Sequence, residues 1–169
     1  MSNHQITTKQ KGDACEMLIA AKLTLAGIPA LKVPDNWPHY DVIAQPQNGQ
    51  PLRISVRART YKPGAAYVGY LETEDFDWLA IVTLPGGSET ERRFFLIPRK
   101  LADRTARRDA ATSKTAKERY WRVDEVLKIF SRFENNFSLN PFLKPNEEAL
   151  KLIEARRRQK TQPAARRIS

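Results

Sequence analysis

Residues 78–84 read Trp-Leu-Ala-Ile-Val-Thr-Leu, an almost wholly apolar run closed by the turn Pro85-Gly86-Gly87. A segment this short and this apolar is a strand buried on both faces, not an alternating half-exposed one. It demands a layer of chain on either side of the sheet that holds it. The rest of the chain supplies a helix, a run of strands, then more helices. The first helix is predicted from about Asp13 to Ala26, with Ala14, Met17, Leu18, Ala21 and Leu25 at three- and four-residue spacing and Gly27 as its stop; residues 1–8 carry no pattern. Strands are predicted at 30–33, 40–45, 52–59, 78–84 and 93–97. A basic helix is expected over 100–111, a loop over 113–118 and an amphipathic helix over 123–133. After the irregular stretch 135–145, Asn146 caps a last helix over 147–158. The fold class expected is α/β, in a mixed α+β arrangement: a central mixed sheet of about five strands with helices on both faces. Residues 1–133 form the expected domain, 134–158 a helical extension and 159–169 a basic disordered tail.

The strands at 40–45 and 52–59 flank the turn-rich segment Pro46–Gln50, so they read as a hairpin whose register the side chains must choose. A turn centred on Asn48-Gly49 would set Val42 against Ser55 and Gln45 against Leu52, mixing polar and apolar residues on each face. A turn centred on Asn48 alone sets Tyr40 against Val56, Val42 against Ile54 and Ala44 against Leu52. The second register keeps one apolar face intact, and a one-residue slip would expose half of it. The opposite face then carries Asp41 beside Ser55, His39 beside Arg57 and Ile43 beside Arg53, near the helix that bears Glu16.

Charge is unevenly spread. The chain is +10 in all, but residues 1–100 are nearly balanced, and from Ala155 onward there are six basic residues and no acid. Such asymmetry fits a phosphate-backbone partner; a solvated basic tail is the plainer reading. One cysteine and two histidines exclude an internal disulfide, a thiolate zinc site and a His-rich metal centre. No run approaches the roughly 18 apolar residues of a membrane span and no signal peptide opens the chain, so a cytoplasmic protein without a membrane partner is expected.

Gly12-Asp13, Glu16 and Ala20 on the helix, Tyr40-Asp41-Val42 and Ile54-Ser55-Val56-Arg57 on the hairpin, and Phe76–Ala80 followed by Phe94–Pro98 stand in an order that resembles the PD-(D/E)XK nuclease-like superfamily. The resemblance to this restriction-endonuclease-like fold spans about residues 9–100. It implies metal-dependent phosphodiester hydrolysis, with catalytic positions at Glu16, Asp41, Ser55 and Arg57. Magnesium would be held by Asp41, Glu16 and the Val56 carbonyl. It also implies nucleic acid, DNA in the first place, as partner and a homodimer as the assembly. Arg53, Arg57 and Arg59 alternate along one strand face beside Asp41 in a chain of net positive charge and, with Lys62, are expected as phosphate contacts. Two positions depart from the pattern. Ser55 stands where the family carries an acid and Arg57 where it carries lysine; serine ligates magnesium poorly, and arginine stays protonated and cannot act as a base. The expected function is therefore nucleic-acid binding on a nuclease-like fold whose phosphodiesterase site is weakened or lost.

Two alternatives stand beside it. One is an active magnesium-dependent endonuclease in which Glu72 or Glu74 supplies the missing acid; the other is a protein-interaction module with a basic tail. Individual residues also have plainer roles. Asp13 and Glu16 have capping-box spacing, Asp41 would be neutralised by Arg57 or Arg53, and Arg53, Arg57 and Arg59 alternate as a solvated sheet face would. Trp37 is the tryptophan placed to stack on a base, His39 a surface residue and Cys15 a core residue.

Overall fold

The computed structural model describes residues 6–161. Helix α1 (Thr8–Leu25) is followed by β1 (Ala30–Lys32), β2 (Val42–Ala44), β3 (Leu52–Thr60), β4 (Tyr67–Leu71), β5 (Trp78–Leu84) and β6 (Arg93–Pro98). Then come α2 (Arg99–Thr105), β7 (Glu118–Arg122), α3 (Val123–Ile129), a 3-10 turn at Ser131–Phe133 and α4 (Glu147–Thr161). Five strands form a mixed sheet in the order β1-β2-β3-β5-β6, antiparallel except for the parallel pair β3/β5; β4 and β7 form a separate antiparallel ribbon. The hairpin takes the register its side chains require, with Val42 opposite Ile54, Ile43 opposite Arg53 and Ala44 opposite Leu52.

The apolar run at 78–84 is the central strand β5, buried at every position but the last. One face of the sheet, with Val42, Ile54, Val56, Ala80 and Leu96, packs under α1. The other, with Leu79, Ile81, Phe95 and Ile97, is covered by α2, α3, α4 and the β4/β7 ribbon, whose Val68, Tyr70 and Trp121 point inward. Residues 134–145 wrap the β6 edge: Asn135 N–H donates to the Phe94 carbonyl (2.8 Å) and Asn136 Nδ2 to that of Leu96 (3.3 Å). Leu139 of this segment joins the core under α1, while Leu150 and Ile153 of α4 join the opposite core. An edge covered in this way cannot template pairing with another chain.

Helix α1 differs from its sequence reading in both start and facing. It begins at Thr8, where Thr7 Oγ accepts from Gln10 N–H (3.2 Å) and Gln10 Oε1 accepts from Thr7 N–H (2.9 Å). That capping box removes the helix-start role from Asp13 and Glu16, which lie inside the helix. Its buried residues are Cys15, Ile19, Ala20 and Leu23, whereas Met17 and Leu25 of the predicted stripe are 56% and 88% exposed. The helix is apolar on more than one side, so three-four spacing fits two faces and only the sheet selects one. Gly27, at φ +91°, ends the helix as expected.

The basic helix at 100–111 is the shorter α2, because Arg107 turns away to bond Tyr120 across its backbone (N–O 2.8 Å). Strands β4 and β7 are additions to the elements the sequence predicts. The last helix runs on to Thr161, so residues 159–161 are helical where the tail was expected; residues 162–169 and 1–5 lie outside the described residues.

Buried Glu125 on α3 fastens α4, accepting from Arg157 Nη2 (2.9 Å) and from the Arg107 guanidinium. Burial pushes its carboxyl up, but the two arginines outweigh burial and hold it below its ordinary value. A carboxyl lowered on folding adds stability above its unfolded pKa near ~4.3, and that stability disappears as pH falls through the folded value. Glu125→Gln is expected to cost roughly 3 kcal/mol at pH 7 and, in urea melts, to lose less stability than wild type between pH 7 and pH 3.

Candidate functional site

Strand β2 is three residues long and β3 nine, so the ladder between them stops at Val42/Ile54 and leaves backbone groups of β3 without a strand partner. Such groups need other partners. Asp41, one residue before β2, supplies one: its N–H donates to the Ile54 carbonyl (3.0 Å) and its Oδ2 accepts from Val56 N–H (2.7 Å). The Val56 carbonyl is met by the side chain of Arg57, whose Nη1 lies 3.5 Å from it and 3.9 Å from Asp41 Oδ2. The same guanidinium donates through Nη2 to Glu74 Oε2 (2.6 Å) and through Nε to the Gly69 carbonyl (3.2 Å). Of the two acids considered as replacements, Glu74 reaches this centre and Glu72 pairs with Arg119 instead.

Glu16 projects from α1 toward the same end of the sheet but pairs with Lys32 of β1 (3.0 Å). Burial pushes its carboxyl above the ordinary range, Lys32 opposes this, and the nearby Asp41 charge adds to the rise. Asp13, Glu16 and Asp35 bring carboxylate oxygens within 4.8 Å of one another. Two lysines thread this acidic cluster: Lys9 bonds Asp13 (2.9 Å) and Asp35 (2.6 Å), and Lys32 bonds Glu16 and Asp35. Those lysines hold the Asp35 carboxyl down to about 2. Ser55 is fully buried, and its hydroxyl has no hydrogen-bond partner among the described residues.

Arg53 stands apart from this centre, with its guanidinium held by Asp75 and Asp77 at the entry to β5. Arg59 donates to the Tyr67 carbonyl (3.0 Å) and, with Arg57, ties β4 to the main sheet. His39 is exposed and sits at φ 75°, a left-handed conformation that favours glycine. Trp37 is half exposed, edge-on to Tyr40.

Between the first turns of α1 and the second half of β3 lies a cleft of about 720 Å³. Its cationic lining residues are Lys11, Arg57, Arg59 and Lys62, and no carboxylate among the described residues lines it. Lys11 is the member that sequence reasoning misses. Its only signal is a place one residue before Gly12-Asp13, which acquires meaning once α1 is laid across β3.

The residues present do not fit a divalent cation at the position the family resemblance implies. The point between Asp41 Oδ2 and the Val56 carbonyl is taken by the Arg57 guanidinium, a cation in its own right. Ser55 offers no second carboxylate, and Glu16 is committed to Lys32.

No family model matches the chain, and no curated protein sequence matches it. Among solved structures the chain is similar to a bacterial homing endonuclease, I-Ssp6803I, at 16% identity, over 94% of this chain and 100% of that one, with a TM-score of 0.47. It is also similar to Hjc, a Holliday junction resolvase of the archaeal hyperthermophile Archaeoglobus fulgidus, at 17% identity, over 68% of this chain and 85% of that one, with a TM-score of 0.42.

Arg57→Ala would leave Asp41 and Glu74 facing each other across the vacated space. The variant is expected to melt below wild type without metal and to recover as magnesium or manganese is added, by about 2.7 kcal/mol when the ion reaches a hundred times its Kd. Thermal melts of the wild type over the same titration should show no comparable shift.

Proposed function

We propose that this protein binds nucleic acid, DNA in the first place, on a nuclease-like scaffold whose phosphodiesterase site is weakened or lost. The observation that carries the reading is the cleft between α1 and β3, where Lys11, Arg59 and Lys62 stand beside the Glu74-paired Arg57 and no carboxylate lines the wall among the described residues. A groove of one sign concentrates a polyanion, and the overall charge of +10 adds to the long-range attraction. Lys11 and Lys62 are exposed at its rim, with no protein carboxylate to displace before a phosphate is met. Arg53, clamped between two aspartates, is assigned to structure and not to binding.

The loss of hydrolysis rests on Arg57. A lysine at this position would be a compact charge on a flexible stem; arginine fills the space with a planar fork that Asp41, Glu74 and two backbone carbonyls surround. A second reading, a working magnesium-dependent endonuclease, has one observation in its favour. Asp41, Glu74 and the Val56 carbonyl converge on the same point, so Glu74 replaces the acid missing at Ser55 if Arg57 withdraws.

Both readings predict salt-sensitive binding to duplex DNA, and cleavage separates them. Replacing Lys11, Arg59 and Lys62 by alanine should weaken binding evenly across sequences and flatten the dependence of log affinity on log salt by about 3, roughly one for each phosphate that no longer meets a cation. Plasmid should remain intact with magnesium or manganese. EDTA-sensitive nicking by the wild type would install the endonuclease reading. Salt-insensitive or absent DNA binding would leave the protein-interaction module.

A further inference from the structure

The cationic cleft is bounded by Tyr67 on β4, and on the other side of that residue lies a second concavity of about 550 Å³. The two share Arg57, Arg59, Tyr67 and Gly69, but their chemistry differs. The second adds the carboxylates Glu74, Asp109 and Glu118, the guanidinium of Arg119 and the ring of Tyr120 on β7. The alternation of β4 explains the aromatic rim: Val68 and Tyr70 point into the core, leaving Tyr67 outward and 44% exposed. Tyr67 meets Tyr120 edge to face, with ring centroids 5.7 Å apart and planes at 71°. The Tyr120 hydroxyl donates to Asp109 (2.7 Å), and the Tyr67 carbonyl accepts from Arg59, so both residues are held. Gly69, beside them, leaves part of the wall as bare backbone; a Cβ there would strike the Arg119 carbonyl and Tyr120.

A phosphate is drawn more to the first cleft, whose charged lining residues are all cations, than to the second, where Glu74, Asp109 and Glu118 offset Arg57, Arg59 and Arg119. A nucleobase has the opposite preference, because its flat face stacks on tyrosine and its amino and imino groups donate to carboxylates. We propose that the second pocket receives an unpaired base from a strand whose phosphates occupy the first, so that the ligand is single-stranded or locally unpaired nucleic acid. Tyr67 is the post around which the strand turns. The inference rests on the nucleic-acid reading of the cationic cleft and adds the class of nucleic acid.

Fluorescence anisotropy at fixed low salt, with the full chain, tests it using a labelled 20-nucleotide single strand, its duplex, and the same strand carrying abasic sites. The single strand should bind more tightly than the duplex. Tyr67→Ala should weaken single-strand binding about five- to a hundredfold, as expected for the removal of one base stack, and weaken duplex binding several-fold less; Tyr67→Phe should restore single-strand binding. Abasic substitution should produce a similar loss with the wild-type protein, which keeps the test independent of how the variant folds. Equal binding of intact and abasic strands, or equal losses on strand and duplex, would overturn the stacking site while the cationic cleft stands. No binding of either form at low salt would overturn both.

Discussion

The parallel pairing of β3 with β5 is the constraint from which the rest of this structure follows. Seven residue pairs run from Ile54/Trp78 to Thr60/Leu84, and β5 is buried on both sides through most of its length. A parallel pair requires a long crossover, and a doubly buried strand requires two covering layers. Helix α1 meets the second need on one face. On the other, the crossover itself contributes: residues 61–77 carry β4, which pairs with β7 to make a small ribbon over the sheet. The crossover is thus a strand in place of the usual helix, and the two clefts lie on its two sides.

The candidate site is a consequence of unequal strand lengths. Because β2 ends early, β3 presents the N–H and carbonyl of Val56 to an open edge. Asp41 satisfies the first, and the Arg57 guanidinium approaches the second. In the family this sequence resembles, such an opening is where a metal would be held. Here arginine joins four groups drawn from β3, β4 and the segments before β2 and β5. That arrangement links the two sheets through a planar, multiply bonded cation. It binds layers together at the open edge of β3.

Charge placement separates the functional surface from the structural one. Most acids near the sheet ends are matched within the protein: Asp75 and Asp77 by Arg53, Asp13 and Asp35 by Lys9, Glu125 by Arg107 and Arg157. The cleft between α1 and β3 is positive because carboxylates are missing from it, not because cations are unusually dense there. Immediately beyond Tyr67 a second pocket brings carboxylates and arginines together, so the two neighbouring concavities differ in the charge of their linings.

The sequence by itself determined whatever depends on periodicity within about ten residues: the buried strand at 78–84, the hairpin register with Val42 opposite Ile54, the Gly27 stop, and the Asn146 cap, whose Oδ1 accepts from Ala149 N–H. It also carries the departures at Ser55 and Arg57, which are matters of residue identity. Tertiary structure alone decided which side of α1 is buried, since Cys15-Ile19-Leu23 and Met17-Leu25 both satisfy helical spacing until a sheet is placed beneath them. It decided the pairing of β4 with β7, whose alternation is visible in Tyr67–Leu71 and Glu118–Arg122 but whose partners lie some fifty residues apart. It brought Glu74 to Arg57 and Lys11 to the cleft in the same way. Burial periodicity is written locally because each residue faces either core or water. A partner distant along the chain is selected only by the surface and the unpaired backbone that the sheet leaves uncovered.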